Sequence, residues 1–350
     1  MVGTVETATG PAPVVPTEWA LPDVLGAWRV RWDIRRDRYR VDPGLYAVGA
    51  PGPEAPVLVT ANYKYTFDVV RRELTGLDAW VLVADTRGIN VWCAAGKRRF
   101  STDEIVHRIR TSQLEHVVTH RTVVVPQLGA TGLAAHLVRP RCGFEAIVGP
   151  VRASDIPAFL AAGMKATPAM REVTFGTWDR TVLAPVELVT MARHGLWAVP
   201  VLAVISLVGP WMAGSLAMVG LALPGVLATR GLAAALAYVA GALAGTVVTP
   251  ILLPWIPVRS FWLKGALFGG LVGVVLGAAS TAAGLTEPLG AFGLALVTAA
   301  VSAWGAMNYT GTSTFTSPSG VEAEMRVGIP LQAALLGLGL LLWVTSAWVR

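Results

Sequence analysis

The scarcity of charge in the second half of this chain is the strongest constraint on its fold. Residues 195–350 contain eight Asp, Glu, Lys or Arg residues, whereas the whole chain of 350 contains 28 basic and 22 acidic ones. Soluble domains have about a quarter of their residues charged, and eight charges cannot cover a globular surface of this size. The sequence therefore predicts a soluble domain followed by an all-α transmembrane domain.

The predicted organisation has three parts. Residues 1–40 are an N-terminal tail and lead-in, because the first twenty are rich in Pro, Ala, Thr and Val and carry no signal peptide. Residues 41–190 form the soluble domain and residues 195–350 the transmembrane domain. About five spans are expected, with four or six as alternatives: 195–214, 232–256, 261–281, 289–307 and 329–349.

Basic residues beside the spans predict the orientation. Four fall on the side of the soluble domain and two on the other: Arg193, Arg259, Lys264 and Arg326 against Arg230 and Arg350. We expect a multi-pass protein of the inner (cytoplasmic) membrane, surrounded by lipid, with its soluble domain in the cytoplasm. The loop at 308–320 (NYTGTSTFTSPSG) is then a cytoplasmic turn or a contact for the soluble domain or a partner. Juxtamembrane basic residues account for the net charge of +6, and no nucleic-acid partner is expected.

The first half alternates short apolar runs with helical segments, which predicts an α/β fold with a Rossmann-like parallel sheet covered on both faces. The expected strands are 56–60, 79–84, 122–125 and 144–148. The expected helices are 64–74, 103–109, 132–138 and 155–162. Ligands of such sheets bind beyond the carboxyl ends of the strands. The expected cofactor contacts at those ends are Thr60, Asn62, Asp85, Thr86, Gln127, Gly129 and Gly149.

The segment Asn90-Val-Trp-Cys-Ala-Ala-Gly-Lys97 holds one of the two cysteines of the chain. Asn90 can cap a helix and Gly96 can end it, so Cys93 would lie in the first turn of a very short helix. That position favours a thiolate, which could be the axial ligand of a metal held in a macrocycle. Residue type alone favours a plain buried thiol, and a cysteine nucleophile assisted by a histidine is a second alternative. Cys142 is expected to be structural.

The same segment resembles the cap-helix signature of the corrinoid proteins that methylate mercury. The resemblance extends over roughly residues 40–350 and includes the loop at 308–320. Its other pieces are Val59-Thr-Ala-Asn-Tyr-Lys64, Asp85-Thr-Arg-Gly-Ile89 before the signature, His120-Arg121, Pro126-Gln-Leu-Gly-Ala130, Gly149-Pro-Val-Arg-Ala-Ser-Asp-Ile-Pro157 and Lys165-Ala-Thr167. The chain departs from the family at Lys97-Arg-Arg-Phe-Ser-Thr102, where Gly and Thr are usual after the lysine; the extra cations would alter partner docking.

That family is similar to the corrinoid domain of the corrinoid iron–sulfur protein of acetyl-CoA synthesis. The resemblance implies a corrinoid (cobalamin, with its cobalt) on the carboxyl ends of the strands, with Cys93 as the lower axial cobalt ligand. The cap-helix residues implied around it are Asn90, Trp92, Ala94, Ala95, Gly96 and Lys97. It implies an enzyme, a corrinoid-dependent methyltransferase that passes a methyl group from methyl-cobalt to Hg(II) and forms methylmercury. The implied partners are a ferredoxin-like iron–sulfur electron donor and a folate-linked methyl-donor methyltransferase.

Two other functions remain open at this stage. A methyl carrier of acetyl-CoA (one-carbon) metabolism shares the expected fold, but the relative of that pathway carries its own cluster, and two cysteines cannot hold one. A non-enzymatic membrane sensor or transporter is the alternative from a different class. A transporter is disfavoured because no run of ionisable residues marks a path through the predicted spans.

Overall fold

The computed structural model describes residues 2–214, 222–311, 313 and 318–349. The chain forms two compact units, Met1–Thr174 and Phe175–Arg350. The first long apolar helix begins at Ala184, whereas the sequence predicted a span from residue 195. Glu187 and Arg193 lie in the first turns of this helix, so their charges concealed its start.

The first unit contains a seven-stranded mixed sheet, counted over its described residues, in the order β1-β2-β3-β5-β4-β6-β7. The strands are β1 Gly3–Thr7, β2 Gly10–Val14, β3 Gly44–Val48, β4 Val57–Ala61, β5 Ala79–Ala84, β6 Thr122–Val125 and β7 Glu145–Val148. Strands β5, β4, β6 and β7 are parallel neighbours, as predicted. Strand β3 is antiparallel to β5, and β1 with β2 forms an antiparallel hairpin. The four strands that the sequence predicted are therefore parallel, but β1, β2 and β3 were not predicted, and their antiparallel pairs make the sheet mixed.

Strands that were not predicted from the sequence have a composition that is not typical of strands. Strand β2 contains Pro11 and Pro13, which lack an amide hydrogen and are depleted in strands. This strand pairs with β3 only at Val14 and Ala47, so most of it needs hydrogen bonds on the β1 side alone. By contrast, every residue of β4 and β5 is buried, and such continuous apolar runs are typical of central parallel strands.

Helices cover both faces of the sheet. They are α1 Leu21–Arg31, α2 Lys64–Glu73, α3 Val91–Gly96, α4 Thr102–Thr111, α5 Val138–Cys142, α6 Ile156–Ala161 and α7 Pro168–Arg171. Alternate residues of β5 enter two separate cores. Trp80 and Leu82 pack with Ile105 of α4 on one face, and Val81 packs with Phe67 of α2 on the other. The predicted helix at 132–138 is instead a pair of 3₁₀ turns, Gln127–Gly132 and Ala135–Leu137, followed by α5.

A buried ionic cluster fixes α1, which lies in the segment predicted as an N-terminal tail and lead-in. Lys64 Nζ lies 2.6 Å from both Asp23 Oδ1 and Asp68 Oδ2. Arg71 lies 2.8 Å from the other oxygen of each carboxylate, and the side chains of Asp68 and Arg71 are almost fully buried. Partial burial raises the pKa of Asp23, but hydrogen bonds from Lys64, the Ala20 amide and Arg71 bring it below its usual value. The tail prediction is wrong because α1 and α2 supply charges that pair only in the folded unit.

The second unit consists of helices: α8 Thr177–Thr181, α9 Ala184–Met212, α10 Ala222–Val226, α11 Leu232–Leu243, α12 Thr249–Ile251, α13 Phe261–Ala282, α14 Pro288–Asn308 and α15 Pro318–Thr345, with π-helical turns at Leu227–Gly231 and Ala244–Val248. Among the described residues, five continuous helical stretches are long and apolar enough to cross a membrane, and this number agrees with the prediction. They are Thr177–Met212, Leu223–Ile251, Phe261–Ala282, Pro288–Gly311 and Ser319–Trp348. Residues 312 and 314–317 of the predicted 308–320 loop, and Arg350, lie outside the described residues.

Glycines allow the apolar helices to approach closely. A Cβ atom added at Gly269 would lie 2.2 Å from Ser302 Cβ, and one at Gly245 would lie 2.2 Å from the Ser302 carbonyl oxygen. At Gly270 the nearest atom would be 3.8 Å away, so this glycine is not needed for contact. The close approach therefore depends on particular glycines at helix contacts and does not involve every glycine of a helix.

We expect Arg71→Met to destabilise the first unit by about 3–5 kcal/mol, because it leaves two largely buried carboxylates with Lys64 alone. The matched control is Arg139→Met, whose exposed pair with Glu145 is 4.0 Å long and should contribute little. Hydrogen–deuterium exchange of the full chain in detergent would show faster exchange across Leu21–Arg31 in the first variant only. Equal protection in both variants would contradict the role assigned to the cluster.

Candidate functional site

The predicted short helix is present, with the predicted cap. Helix α3 runs from Val91 to Gly96, and the Cys93 amide donates a 2.9 Å hydrogen bond to Asn90 Oδ1. Val91, Ala94 and Ala95 are buried in the core, whereas Gly96 and Lys97 are exposed. Trp92 and Cys93 are half-buried. The cysteine is therefore part of a helix anchored on one face and open to solvent on another.

The turn that leads into α3 is held by the side chain of Asn62, which follows β4. Its amide oxygen accepts hydrogen bonds from Thr86 N at 3.0 Å, Thr86 Oγ1 at 2.9 Å and Gly88 N at 2.9 Å. Its amide nitrogen donates to Asp85 Oδ1 at 3.1 Å. Arg87 and Gly88 both have positive φ, +57° and +74°, so the chain turns tightly here. Asn62 thus joins the end of one strand to the loop of the next.

Three of the predicted cofactor contacts, Asn62, Asp85 and Thr86, therefore stabilise the turn that precedes α3. Asn62 and Thr86 are 1% and 0% exposed and use their polar side-chain atoms within the protein. Asp85 is exposed, but one carboxylate oxygen accepts from Asn62 and from the Arg87 amide. The structure brings these residues together at the predicted edge of the sheet, where they position the cap helix.

A cavity of about 250 Å³ lies at the carboxyl ends of β4, β6 and β7. Residues lining it include Thr60, Tyr65, Thr66, Val91, Pro126, Leu128, Gly149, Pro150 and Val151. The hydroxyl of Thr60 is buried and has no hydrogen-bond partner in the protein. Such a group is costly unless a ligand or water completes it. The cavity is thus an apolar pocket with one unsatisfied polar group.

The site residues fit part of a large ligand with polar substituents. A cavity of this volume can take a side group of a macrocycle while the ring itself lies outside. Val91 of α3 lines the cavity, and Cys93, which is two residues further along the same helix, does not. At Gly149 an added Cβ would lie 2.8 Å from Val124 Cγ1, so the wall at β7 requires glycine. The residues are therefore compatible with the expected corrinoid.

The turn Gln127–Gly132 supports the cap helix from below. An added Cβ at Gly129 would lie 2.6 Å from the Phe100 ring and 2.9 Å from Val91 Cγ1. One at Gly132 would lie 2.3 Å from the Phe100 carbonyl oxygen and 2.9 Å from Ala95 Cα. Gly129, predicted as a cofactor contact, is thus placed by packing against Val91 of α3 and against Phe100.

Arg171 is a site residue that sequence reasoning missed. It donates to the carbonyl oxygens of Gly149 at 2.9 Å and Val148 at 3.0 Å, and to Gln127 Oε1 at 2.8 Å. Gln127 Nε2 donates in return to the Arg171 carbonyl at 3.0 Å. Arg171 lies four residues after the segment Lys165-Ala-Thr167, and no local pattern around it indicates a contact with strand ends. Tyr65 and Thr66 were also missed, although they follow the resembling segment that ends at Lys64.

Within the described residues, no group of three or more His, Cys, Asp or Glu side chains could hold a metal ion. Cys142 is half-buried in α5, and its thiol donates to the Val138 carbonyl at 3.3 Å. This arrangement agrees with its predicted structural role.

The part of the chain that contains this site is similar in sequence to known proteins. Residues 22–160 match the sequence model of the family described as CO dehydrogenase/acetyl-CoA synthase delta subunit. This segment of the chain is also similar in sequence to a corrinoid/iron–sulfur protein. The match includes β3 to β7, the cap helix and all the cavity-lining residues named above.

Individual relatives support the same relationship. The acetyl-CoA decarbonylase/synthase complex subunit gamma of Methanopyrus kandleri is 32% identical over 144 residues, which are 41% of this chain and 31% of the relative. The corresponding subunit of Archaeoglobus fulgidus is 33% identical over 130 residues, 36% of this chain and 27% of the relative. The corrinoid/iron–sulfur protein large subunit of Moorella thermoacetica is 31% identical over 127 residues, 36% and 28%. This chain spans less than a third of the length of these relatives.

We expect Gly132→Ala to loosen the cap helix, because the new methyl group meets backbone atoms of Phe100 and Ala95. Overpacking of this kind costs about 1–3 kcal/mol. Gly96→Ala is the control on the helix itself, since nothing lies within 4 Å of its added Cβ. Hydrogen–deuterium exchange of the amides from 91 to 97 should rise in Gly132→Ala only. Unchanged exchange in that variant would show that the turn does not support α3.

Proposed function

We propose that this chain is a corrinoid-linked methyl carrier in which Cys93 is the lower axial ligand of cobalt. The observation that carries the proposal is the thiol on a short capped helix beside a cavity at the carboxyl ends of parallel strands. This arrangement lies in a segment related to corrinoid iron–sulfur proteins. The bound corrinoid would supply a cobalt centre that accepts and releases a methyl group.

The residues of the site have distinct parts in this proposal. The Asn90 side chain accepts a hydrogen bond from the Cys93 amide and so fixes the first turn of the helix. The backbone position of Cys93 is therefore defined. Thr60 lines the cavity and its hydroxyl has no partner in the protein, so it would be available to a polar substituent of the corrinoid. Gly149 lets the cavity wall pack closely against Val124. Cys93 acts as a thiolate, the form of cysteine that binds metals.

Hg(II) is the methyl acceptor that we propose, with methylmercury as the product. The basis is the resemblance of Asn90–Lys97 to the signature of mercury-methylating corrinoid proteins. The bound corrinoid would supply a methyl group together with the electron pair of its bond to cobalt, and Hg(II), a soft electrophile, would accept it. Electron donation by the Cys93 thiolate favours that transfer, because ligand identity tunes the reactivity of a cofactor.

The remaining parts of the proposal concern partners and location. The chain has two cysteines in 350 residues, so a separate ferredoxin-like protein delivers the low-potential electrons that recharge the carrier. A folate-linked methyltransferase supplies the methyl group. The five apolar helices cross the inner membrane, with lipid around them and the first unit in the cytoplasm.

A second candidate is a methyl carrier for acetyl-CoA metabolism. The names of the relatives favour it, since they are subunits of an acetyl-CoA decarbonylase/synthase complex. In this case the methyl acceptor is a protein of that pathway, and Cys93 keeps the same role. The two candidates therefore differ in the acceptor alone.

We expect Cys93→Ala to change the absorption spectrum of the full-length protein purified with its corrinoid, because the axial sulfur ligand is lost. Cys142→Ala is the control, since that thiol is bonded within α5 and should leave the spectrum unchanged. Corrinoid content is measured in parallel to separate loss of ligation from loss of binding. Identical spectra for wild type and Cys93→Ala would remove Cys93 from the cobalt.

The acceptor is tested with the full chain, its corrinoid, a ferredoxin-like reductant and a methyl donor. We expect methylmercury from wild type and Cys142→Ala when Hg(II) is added, and none from Cys93→Ala. Mass spectrometry of the methylated product is the measurement. No methylmercury from a corrinoid-loaded, reducible wild type would reject Hg(II) as the acceptor and favour the carrier of acetyl-CoA metabolism.

A further inference from the structure

Helix α1 exposes a continuous apolar stripe. Leu21, Leu25, Trp28 and Trp32 follow one another at helical spacing and are 69%, 53%, 63% and 40% exposed. Val24 lies on the same side and is also exposed. At 100° per residue, these five side chains fall within about 100° of arc on one face of the helix. The stripe is therefore a single surface with two tryptophans.

The opposite face of α1 already makes the contacts that hold the helix to its unit. Gly26, Ala27 and Val30 are buried there, and Asp23 joins the ionic cluster with Lys64 and Arg71. The exposed stripe is thus not needed for packing within the unit. Contiguous exposed apolar patches of this kind mark interaction surfaces.

Arginines surround the apolar stripe. The twelve residues from Arg29 to Arg40 contain six arginines against two aspartates. Arg29 lies beside the stripe in the last turn of α1, and Ile34, which is 51% exposed, continues the apolar surface beyond the helix. Arg35, Arg38 and Arg40 are also exposed. A tryptophan- and leucine-rich face bordered by arginine is typical of helices that lie in the interface of an anionic bilayer.

We propose that α1 is an interfacial helix that inserts its apolar stripe into the headgroup region of a membrane containing anionic phospholipid. The arginines are complementary in charge to the lipid phosphates, and the same chain carries five helices of membrane-spanning length. This inference is independent of the corrinoid and its acceptor. Because the ionic cluster joins α1 to α2, contact of α1 with lipid would also set how the first unit is oriented on the bilayer.

The test uses the full chain in nanodiscs, with an environment-sensitive nitrobenzoxadiazole label at position 25 of a Leu25→Cys variant. Native cysteines are removed by Cys93→Ser and Cys142→Ser. Leu25 is exposed, so the label should not disturb the packing of α1. The control is a Glu115→Cys variant in the same background, labelled at an exposed turn. One set of nanodiscs contains phosphatidylcholine alone. The other set contains phosphatidylcholine and phosphatidylglycerol in equimolar amounts.

We expect the label at position 25 to shift to shorter wavelength in phosphatidylglycerol nanodiscs and to be quenched by headgroup spin-labelled lipid. The label at position 115 should stay water-like. Arg29→Gln with Arg38→Gln should reduce the shift to its value in phosphatidylcholine. A water-like signal at position 25 in both bilayers would overturn the proposal. So would an apolar signal that lipid spin labels do not quench, since protein would then cover the stripe.

Discussion

The position of the cysteine depends on the buried side chain of Asn62. Its amide oxygen is the acceptor for two backbone amides and one hydroxyl of the turn that precedes α3. Each buried donor left without a partner costs about 1–3 kcal/mol. No water can replace this acceptor readily, because Asn62 and Thr86 are almost completely inaccessible. Asn62 fixes the turn that leads to Asn90. Asn90 in turn caps α3 by accepting a hydrogen bond from the Cys93 amide.

The strand ends thus divide into residues that build the support and residues that remain open to a ligand. Asn62, Thr86, Gln127 and Gly129 are occupied by protein contacts, although they lie where a cofactor was expected. Thr60 and Gly149 line the cavity, and the Thr60 hydroxyl is unsatisfied, whereas the amide and carbonyl of Gly149 are bonded to Val125 and Arg171. A large flat ligand needs both classes, because it is held by a few groups on a rigid rim. The polarity of a residue and its position in the sequence cannot show to which class it belongs, because the class depends on its hydrogen-bond partners in the fold.

The local elements could be predicted from sequence, and the non-local ones could not. The predicted bounds of β5 and β6 were correct because a short apolar run encodes each strand. The predicted cap of α3 was correct because Asn90 and Gly96 mark the two ends of the helix. Strands β1 to β3 gave no such signal, and the prolines of β2 indicated a loop. Asp23 and Arg71 are 48 residues apart along the chain, and Arg171 reaches Gln127 from 44 residues away. Contacts at these separations are determined by the fold.

A helix as short as α3 cannot be stable by itself. Helices below about 12 residues are marginal in water, because nucleation is costly and few hydrogen bonds follow it. Helix α3 has six residues, so its stability comes from the burial of Val91, Ala94 and Ala95 and from the glycine-containing turn beneath them. The thiol is therefore positioned by tertiary packing rather than by helix propensity. It follows that the environment of Cys93 can be tuned from the turn at 127–132 without any change in the signature that carries the cysteine.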